Sequence, residues 1–360
     1  MATGWPMKTT YADGDVYAAQ DVNDITGTIN LLGSSVAYAA GKNKIINGDF
    51  FVNQRNFTST TTDAFTYDRW SFITTTGGTA SAQTFTPGTA PVAGYEGKNY
   101  FRVVTTGQTG TGVYTIFGNP IEDVRTLAGQ TATLSFWAKS ATGTPKIAVE
   151  YYLSYGSGGS SAVANYVGQV TLSTSWTRYT LTSAVPSVSG KTIGAGSNIK
   201  PQFWVSAGTD FNSRTGSLGI QSNTFEVWGV QLEAGSTATA FQTATGTIQG
   251  ELALCQRYYV RYDGTDDVIS NGAIYSTTKA YSVLQYPVEM RVAPTLSAST
   301  AGAVVIFANG GSATSTANAF AEVGTKTARW EITSSGLTSG YACWLQFVSS
   351  GKFLEISAEL

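Results

Sequence analysis

Between residue 43 and about residue 245 the chain alternates short apolar-patterned runs with turns rich in Gly, Ser, Thr and Pro, and no long helical pattern intervenes. That rhythm excludes most folds. Runs at 45–52, 67–74, 100–105, 113–118, 131–139, 146–155, 166–172, 176–182, 199–206 and 223–232 are read as strands. Strands of this length, separated only by turns, predict a two-sheet β-sandwich. Composition agrees: β-branched Thr suits half-exposed strand faces, and the 40 glycines supply turns. Charged residues are only 12%, while 42% hydrophobic content is ample for packed cores.

Charge and residue usage exclude several functions. Twenty-one basic against 23 acidic residues leave a net charge of −2, with no Lys/Arg run to neutralise a track of phosphates. Nucleic acid is therefore not an expected partner. No apolar run approaches the roughly 20 residues that span a bilayer, and the N-terminal pattern is not that of a signal peptide, so membrane insertion is not expected. The sequence has no histidine, which removes the commonest general base and metal ligand. Cys255 and Cys343 stand in unlike contexts and read as small buried hydrophobes.

The first 42 residues form a separate unit. A polar leader over residues 1–19 precedes Val22, Ile25, Ile29, Leu32, Val36 and Ala39, which recur at spacings of 3 and 4. This is the a/d seam of a short coiled coil, with Asp21 as N-cap. β-Branched residues at both seam positions favour trimers over dimers, whereas packing on its own domain is the competing reading of the same helix. An isolated helix this short is marginal in water, so three copies would stabilise one another.

Residues 246–260 change character again. Ile248, Leu252, Cys255 and Tyr259 recur at helical spacing, predicting a short helix that leads into a strand at 258–262. A second β-sandwich-like domain follows, with strands near 268–275, 279–290, 303–308, 327–333, 341–348 and 352–359. Around Trp344 both strand faces are apolar, which predicts burial on both sides, with a trimer partner supplying the outer cover. The fold class is thus mainly β, divided as 1–42, 43–245 and 246–360.

Catalytic patterns are missing. Glycoside hydrolysis needs two facing carboxyl groups about 5 Å or about 6.5–9.5 Å apart, and the acidic residues are scattered through the sequence. Neither a G-x-S-x-G elbow, a Walker loop nor H-E-x-x-H occurs. Asp263, Asp266 and Asp267 cluster around Gly264 without EF-hand spacing and read as a solvated turn.

Four blocks carry a family resemblance. They are Asn43-Lys-Ile-Ile-Asn-Gly-Asp-Phe50 with Gln54-Arg55, Tyr67-Asp-Arg-Trp70, Leu134-Ser-Phe-Trp-Ala-Lys139, and Trp228-Gly-Val-Gln-Leu-Glu-Ala-Gly235 running on to Glu251-Leu-Ala-Leu-Cys-Gln-Arg-Tyr-Tyr259. In this order they resemble fibre and adsorption proteins of tailed bacteriophages. The resemblance implies a jelly roll like that of carbohydrate-binding modules, within a non-enzymatic virion protein assembled in the host cytoplasm. It also implies a homotrimer, attached to other virion proteins through residues 1–42 and contacting host surface glycans from the tail. A capsid or neck fibre, and a surface-polysaccharide depolymerase, are the alternatives. Such modules often hold a structural calcium where their first and last strands meet. Asp49, Glu226 and Glu233 fall in the corresponding stretches, with metal-free, hydrogen-bonded carboxylates as the competing reading; no cofactor is otherwise expected.

Strand alternation then nominates a glycan face. If Leu134, Phe136, Val149, Tyr151, Phe203 and Val205 face the core, then Trp137, Lys139, Glu150, Tyr152, Gln202 and Trp204 face away. Rings beside charged and amide groups suit sugars: the ring takes the apolar pyranose face, and the polar groups take its hydroxyls.

Overall fold

The computed structural model describes residues 40–92, 95–264 and 267–360. The seam residues Val22, Ile25, Ile29, Leu32 and Val36 lie outside them. Among the described residues the first unit contains twelve strands: Ser59–Thr60 (β1), Ala64–Phe65 (β2), Ser71–Thr74 (β3), Gly78–Thr84 (β4), Asn99–Thr105 (β5), Tyr114–Gly118 (β6), Thr131–Ser140 (β7), Lys146–Ser154 (β8), Val163–Thr171 (β9), Thr177–Ala184 (β10), Asn198–Ala207 (β11) and Asn223–Ala234 (β12). They form two six-stranded sheets, one ordered β1-β4-β5-β12-β7-β10 and the other β2-β3-β6-β11-β8-β9. The chain passes between sheets at β1 to β2, β3 to β4, β5 to β6, β6 to β7, β7 to β8, β9 to β10, β10 to β11 and β11 to β12, which makes the sandwich a jelly roll.

Alternation decides what fills the space between the sheets. Leu134, Phe136 and Ala138 of β7 point inward and are buried, as are Val149 and Tyr151 of β8 and Phe203 of β11. Phe136 meets Phe203 edge-on at 5.1 Å, joining one sheet to the other. Burying each such ring contributes about 1.5–3 kcal/mol.

The structure revises the expected strands at 45–52 and 67–70. Asn47 and Phe50 take φ of 59° and 56°, and Arg69 takes 70°, so neither stretch can stay extended. The Asn43 side chain substitutes for a ladder: its Oδ1 accepts from Ile45 N at 2.9 Å and Leu232 N at 3.0 Å, and its Nδ2 donates to Val230 O at 3.1 Å. The first block therefore lies along β12 as an irregular, buried segment.

Of two short helices, the second is capped by a side chain. A single turn, Asn212–Thr215 (α1), sits between β11 and β12; Ile248–Gln256 (α2) starts where Thr247 Oγ1 accepts from Gly250 N at 3.1 Å. The second unit then comprises Tyr259–Asp263 (β13), Val268–Ser276 (β14), Lys279–Gln285 (β15), Thr295–Ala298 (β16), Val304–Ala308 (β17), Gly311–Thr314 (β18), Ala317–Ala321 (β19), Thr327–Thr333 (β20), Ala342–Phe347 (β21) and Phe353–Ser357 (β22). A three-stranded sheet, β13-β22-β16, shares one core with a seven-stranded sheet, β18-β17-β21-β14-β15-β20-β19. Within the single chain β21 is covered on one face only. Cys343, Leu345 and Phe347 are buried, but Trp344 on the opposite face is 44% exposed and stacks on Phe307 at 5.5 Å.

Three of the four sequence blocks meet at the junction of the two units. Gln54 Nε2 donates to Asp68 Oδ1 at 2.8 Å and to Tyr259 O at 2.9 Å. Glu359 pairs with Arg55 at 2.9 Å and also with the fully buried Arg69, whose guanidinium lies 3.5 Å from the Tyr258 ring centroid. Cys255 is buried here as a free thiol, and Cys343 is free and buried in the second core.

Candidate functional site on an outer sheet face

Cross-strand pairs share a face, so register fixes what the β5-β12-β7-β10 region presents outward. Arg102 pairs with Glu226, and Glu226 with Lys139, forming a charged row across three strands. Lys139 Nζ lies 3.0 Å from Glu226 Oε2, and Arg102 Nε donates to Glu226 Oε1 at 2.8 Å. The next row pairs Trp228 with Trp137 and Trp137 with Arg178, whose guanidinium sits 4.7 Å from the Trp137 ring centroid. Tyr100 and Trp176 complete the surface, 5.5 Å apart and edge to face, and Lys139 Nζ lies 5.4 Å from Trp176.

Packing holds these rings in place. Trp228 and Phe85 are buried beneath the half-buried Tyr100, Trp137 and Trp176. A Cβ on Gly97 would come within 2.8 Å of the Trp228 indole, so glycine lets that loop lie flat on the ring. Gly229, at φ 63°, bulges β12 against Trp137, and a Cβ there would fall 2.8 Å from Trp137 Cε3. The result is a rigid shelf of aromatic faces beside a fixed ion-paired row. It can stack an apolar ring face and hydrogen-bond the hydroxyls at its rim.

The six residues nominated from sequence do point away from the core, but the structure divides them between opposite sheets. Trp137 and Lys139 belong to the shelf. Glu150, Tyr152, Gln202 and Trp204 lie on the outer side of the other sheet, under the segment that contains α1. There Arg214 Nε donates to Glu150 Oε2 at 2.9 Å, and its guanidinium lies 4.8 Å from the Trp204 ring and 5.5 Å from Tyr152. Phe211 covers Trp204 at 5.2 Å, leaving Trp204 1% exposed and Glu150 fully buried. This corrects the expectation of one open face: alternation assigns a strand face, but cannot show that a later excursion covers it.

The calcium candidates are likewise kept apart. Asp49 accepts from Tyr95 Oη at 2.7 Å, Glu226 belongs to the charged row, and Glu233 accepts from Thr239 N at 2.9 Å and lies 3.4 Å from Lys42 Nζ. Among the described residues no three acidic or thiol side chains converge as a metal site would require. Burial pushes the Glu233 carboxyl up, yet its hydrogen bonds from Thr239 and Gln231 and the Lys42 charge outweigh that and hold it below the usual range. Burial lowers Arg178, which the Glu233 charge partly restores.

Sequence reasoning missed Tyr100, Arg102 and Trp176, and read Glu226 only as a possible metal ligand. Tyr100 and Arg102 alternate with the core residues Phe101 and Val103, a usable clue. Trp176 precedes β10 by one residue in a Ser/Thr-rich turn, and nothing local distinguishes it from a turn aromatic.

No protein-family model matches the chain, and no curated protein matches its sequence. Solved structures do. One is a family 11 carbohydrate-binding module from Clostridium thermocellum in complex with a β-1,3-1,4-mixed-linked tetrasaccharide, at 14% identity and TM-score 0.30, covering 51% of this chain and 99% of that one. A putative sugar-binding protein from Bacteroides thetaiotaomicron matches at 12% identity and TM-score 0.33, covering 54% of this chain and 100% of that one. A family 22 xylan-binding domain from Paenibacillus barcinonensis matches at 11% identity and TM-score 0.29, covering 56% and 100%.

Proposed function

We propose that this chain is a non-enzymatic phage virion protein, a tail fibre that adsorbs to host surface glycans through the outer shelf of its jelly roll. The observation that carries the reading is the juxtaposition of half-buried Tyr100, Trp137 and Trp176 with the Arg102–Glu226–Lys139 row. Fixed rings flanked by fixed charges are complementary to a polysaccharide, whose pyranose units have one apolar face and a rim of hydroxyls. Placement in a virion rests on the four sequence blocks, and trimerisation and anchoring rest on residues 1–42.

The test is affinity electrophoresis on host polysaccharide with Trp176→Ala and Tyr100→Ala. Each variant should lose about two- to tenfold in affinity, because a stacked ring contributes about 0.5–1.5 kcal/mol beyond its area. Melting temperatures should fall only modestly, because both rings are half-buried against Phe85 and not enclosed between the sheets. Unchanged affinity in both variants would overturn the shelf as the binding surface, and release of reducing ends by the wild type would overturn the non-enzymatic reading.

A further inference from the structure

A cavity of about 430 Å³ opens beside the aromatic shelf, where the first block, the segment after β12 and the start of α2 meet. Its walls carry the rings of Phe51, Tyr95 and Phe241, with Gln242, Thr243 and Thr247 between them. Asp49 and Glu251 face it and are both buried, and Glu96 stands at its edge. Tyr95 and Phe241 also touch Trp228 at 5.5 Å and 5.1 Å, so the cavity continues the shelf's own aromatic cluster.

The charge balance of this cavity is one-sided. Asp49 accepts from Tyr95 Oη at 2.7 Å and Phe51 N at 3.3 Å; Glu251 accepts from Asn47 N at 2.9 Å and Thr245 N at 2.7 Å. Every one of those donors is neutral. Among the described lining residues none is lysine or arginine, and Lys98 sits outside, 5.6 Å from the Phe51 ring. Burial raises both carboxyl groups, and the Asp49 charge raises Glu251 further, which a cation between them would relieve.

We infer that this cavity is a subsite for a sugar residue bearing a free amino group. The carboxylates supply what an ammonium group needs, the rings receive the pyranose face and the extended ammonium field, and the amide and hydroxyls meet the remaining hydroxyl groups. This rests on the glycan-binding reading but uses different residues from the shelf. It predicts a chain-binding protein that discriminates de-N-acetylated from acetylated glycan.

Calorimetry with a glucosamine tetrasaccharide and its fully N-acetylated counterpart, at a pH where the amine is protonated, tests it. The wild type should bind the amino form about tenfold or more tightly. Asp49→Asn, isosteric and uncharged, should bring the ratio of the two affinities down to about one. Ile248 lines the cavity and is 57% exposed, so Ile248→Trp should obstruct the mouth and weaken the amino form without lowering the melting temperature. Equal affinity for the two tetrasaccharides, or a preference that survives Asp49→Asn, overturns the inference. Competition by Nα-acetyl-lysine amide as strong as by glucosamine would show an amine site without sugar selectivity and overturn it too. Loss of polysaccharide binding in Trp176→Ala with the amino preference intact, or the reverse, separates failure of one site from failure of the other.

Discussion

Glu251 Oε2 accepts the backbone N–H of Asn47 at 2.9 Å across 204 residues of sequence. The first turn of α2 thereby satisfies a buried donor in the irregular first block, and Asn47 O in turn accepts from Trp70 Nε1 at 2.9 Å. Three of the blocks that looked like separate signatures are one hydrogen-bonded unit.

That unit sets a pH dependence. Burial raises the carboxyl groups of Asp49, Asp68 and Glu251 above their ordinary values. In the unfolded chain these groups lose their protons at lower pH than in the folded one, so rising pH favours unfolding through the window above about pH 4. Their contribution is complete below that value and is lost as pH climbs through the raised folded values. The melting temperature should therefore rise as pH is lowered from about 8 to about 5. Asp49→Asn should flatten this slope in a thermal melt series; a wild-type curve that climbs steadily with pH across the window would contradict the assignment.

Glu359 neutralises Arg69, which is fully buried, and also pairs with Arg55. Glu359→Gln leaves a buried guanidinium with the Pro120 carbonyl and the Tyr258 ring but without its countercharge. A loss of about 3–5 kcal/mol is expected in denaturant unfolding. A change under about 1 kcal/mol would mean that water reaches the pair.

Gly229 is the residue that the Trp137 side of the shelf requires. Alanine there would combine a positive φ with a 2.8 Å approach to Trp137. Gly229→Ala should destabilise by about 1–3 kcal/mol and shift the intrinsic tryptophan emission, because the indole has to move. Unaltered emission and stability would show that β12 relaxes freely at the bulge.

Trp204 tests the opposite face. Truncation to alanine empties a site packed by Phe211, Tyr114 and Arg214 and should cost about 3–5 kcal/mol. Any surviving folded fraction should bind polysaccharide as the wild type does. Selective loss of binding at unchanged stability would return this face to the candidate site.

The seam from Val22 to Val36 predicts a homotrimer in solution. Sedimentation equilibrium should give about three times the 37.9 kDa chain mass. Removing residues 1–42 should reduce the mass to the monomer's while leaving the β-rich units folded. A full-length chain that stays monomeric at all concentrations would move these side chains into an intramolecular core.

The β-rich fold was legible because alternation in runs such as 131–139, 146–155 and 199–206 is dictated by one buried sheet face. Short or irregular elements were not. Ser59–Thr60, Ala64–Phe65 and Gly311–Thr314 are too short or too polar to carry a period, and the 45–52 stretch is apolar enough for a strand but follows side-chain amides instead. For the site, Trp137 and Lys139 emerged from alternation alone. Tyr100, Trp176 and the cavity around Asp49 and Glu251 arise from long-range register and a helix 200 residues away, which no local window contains. The coverage of Trp204 was missed for the same reason: a strand specifies a face, and other segments decide whether it is wet.

The Arg69–Glu359 pair joins positions 290 residues apart. During synthesis at about 5–20 residues per second, roughly 15–60 s separate the emergence of the guanidinium from that of its carboxylate. Throughout that interval the sandwich can assemble its sheets but must carry an uncompensated charge at its base. Arrival of Glu359, just past β22, is then the event that neutralises the base of the first unit, so the order of translation sets when the junction can close.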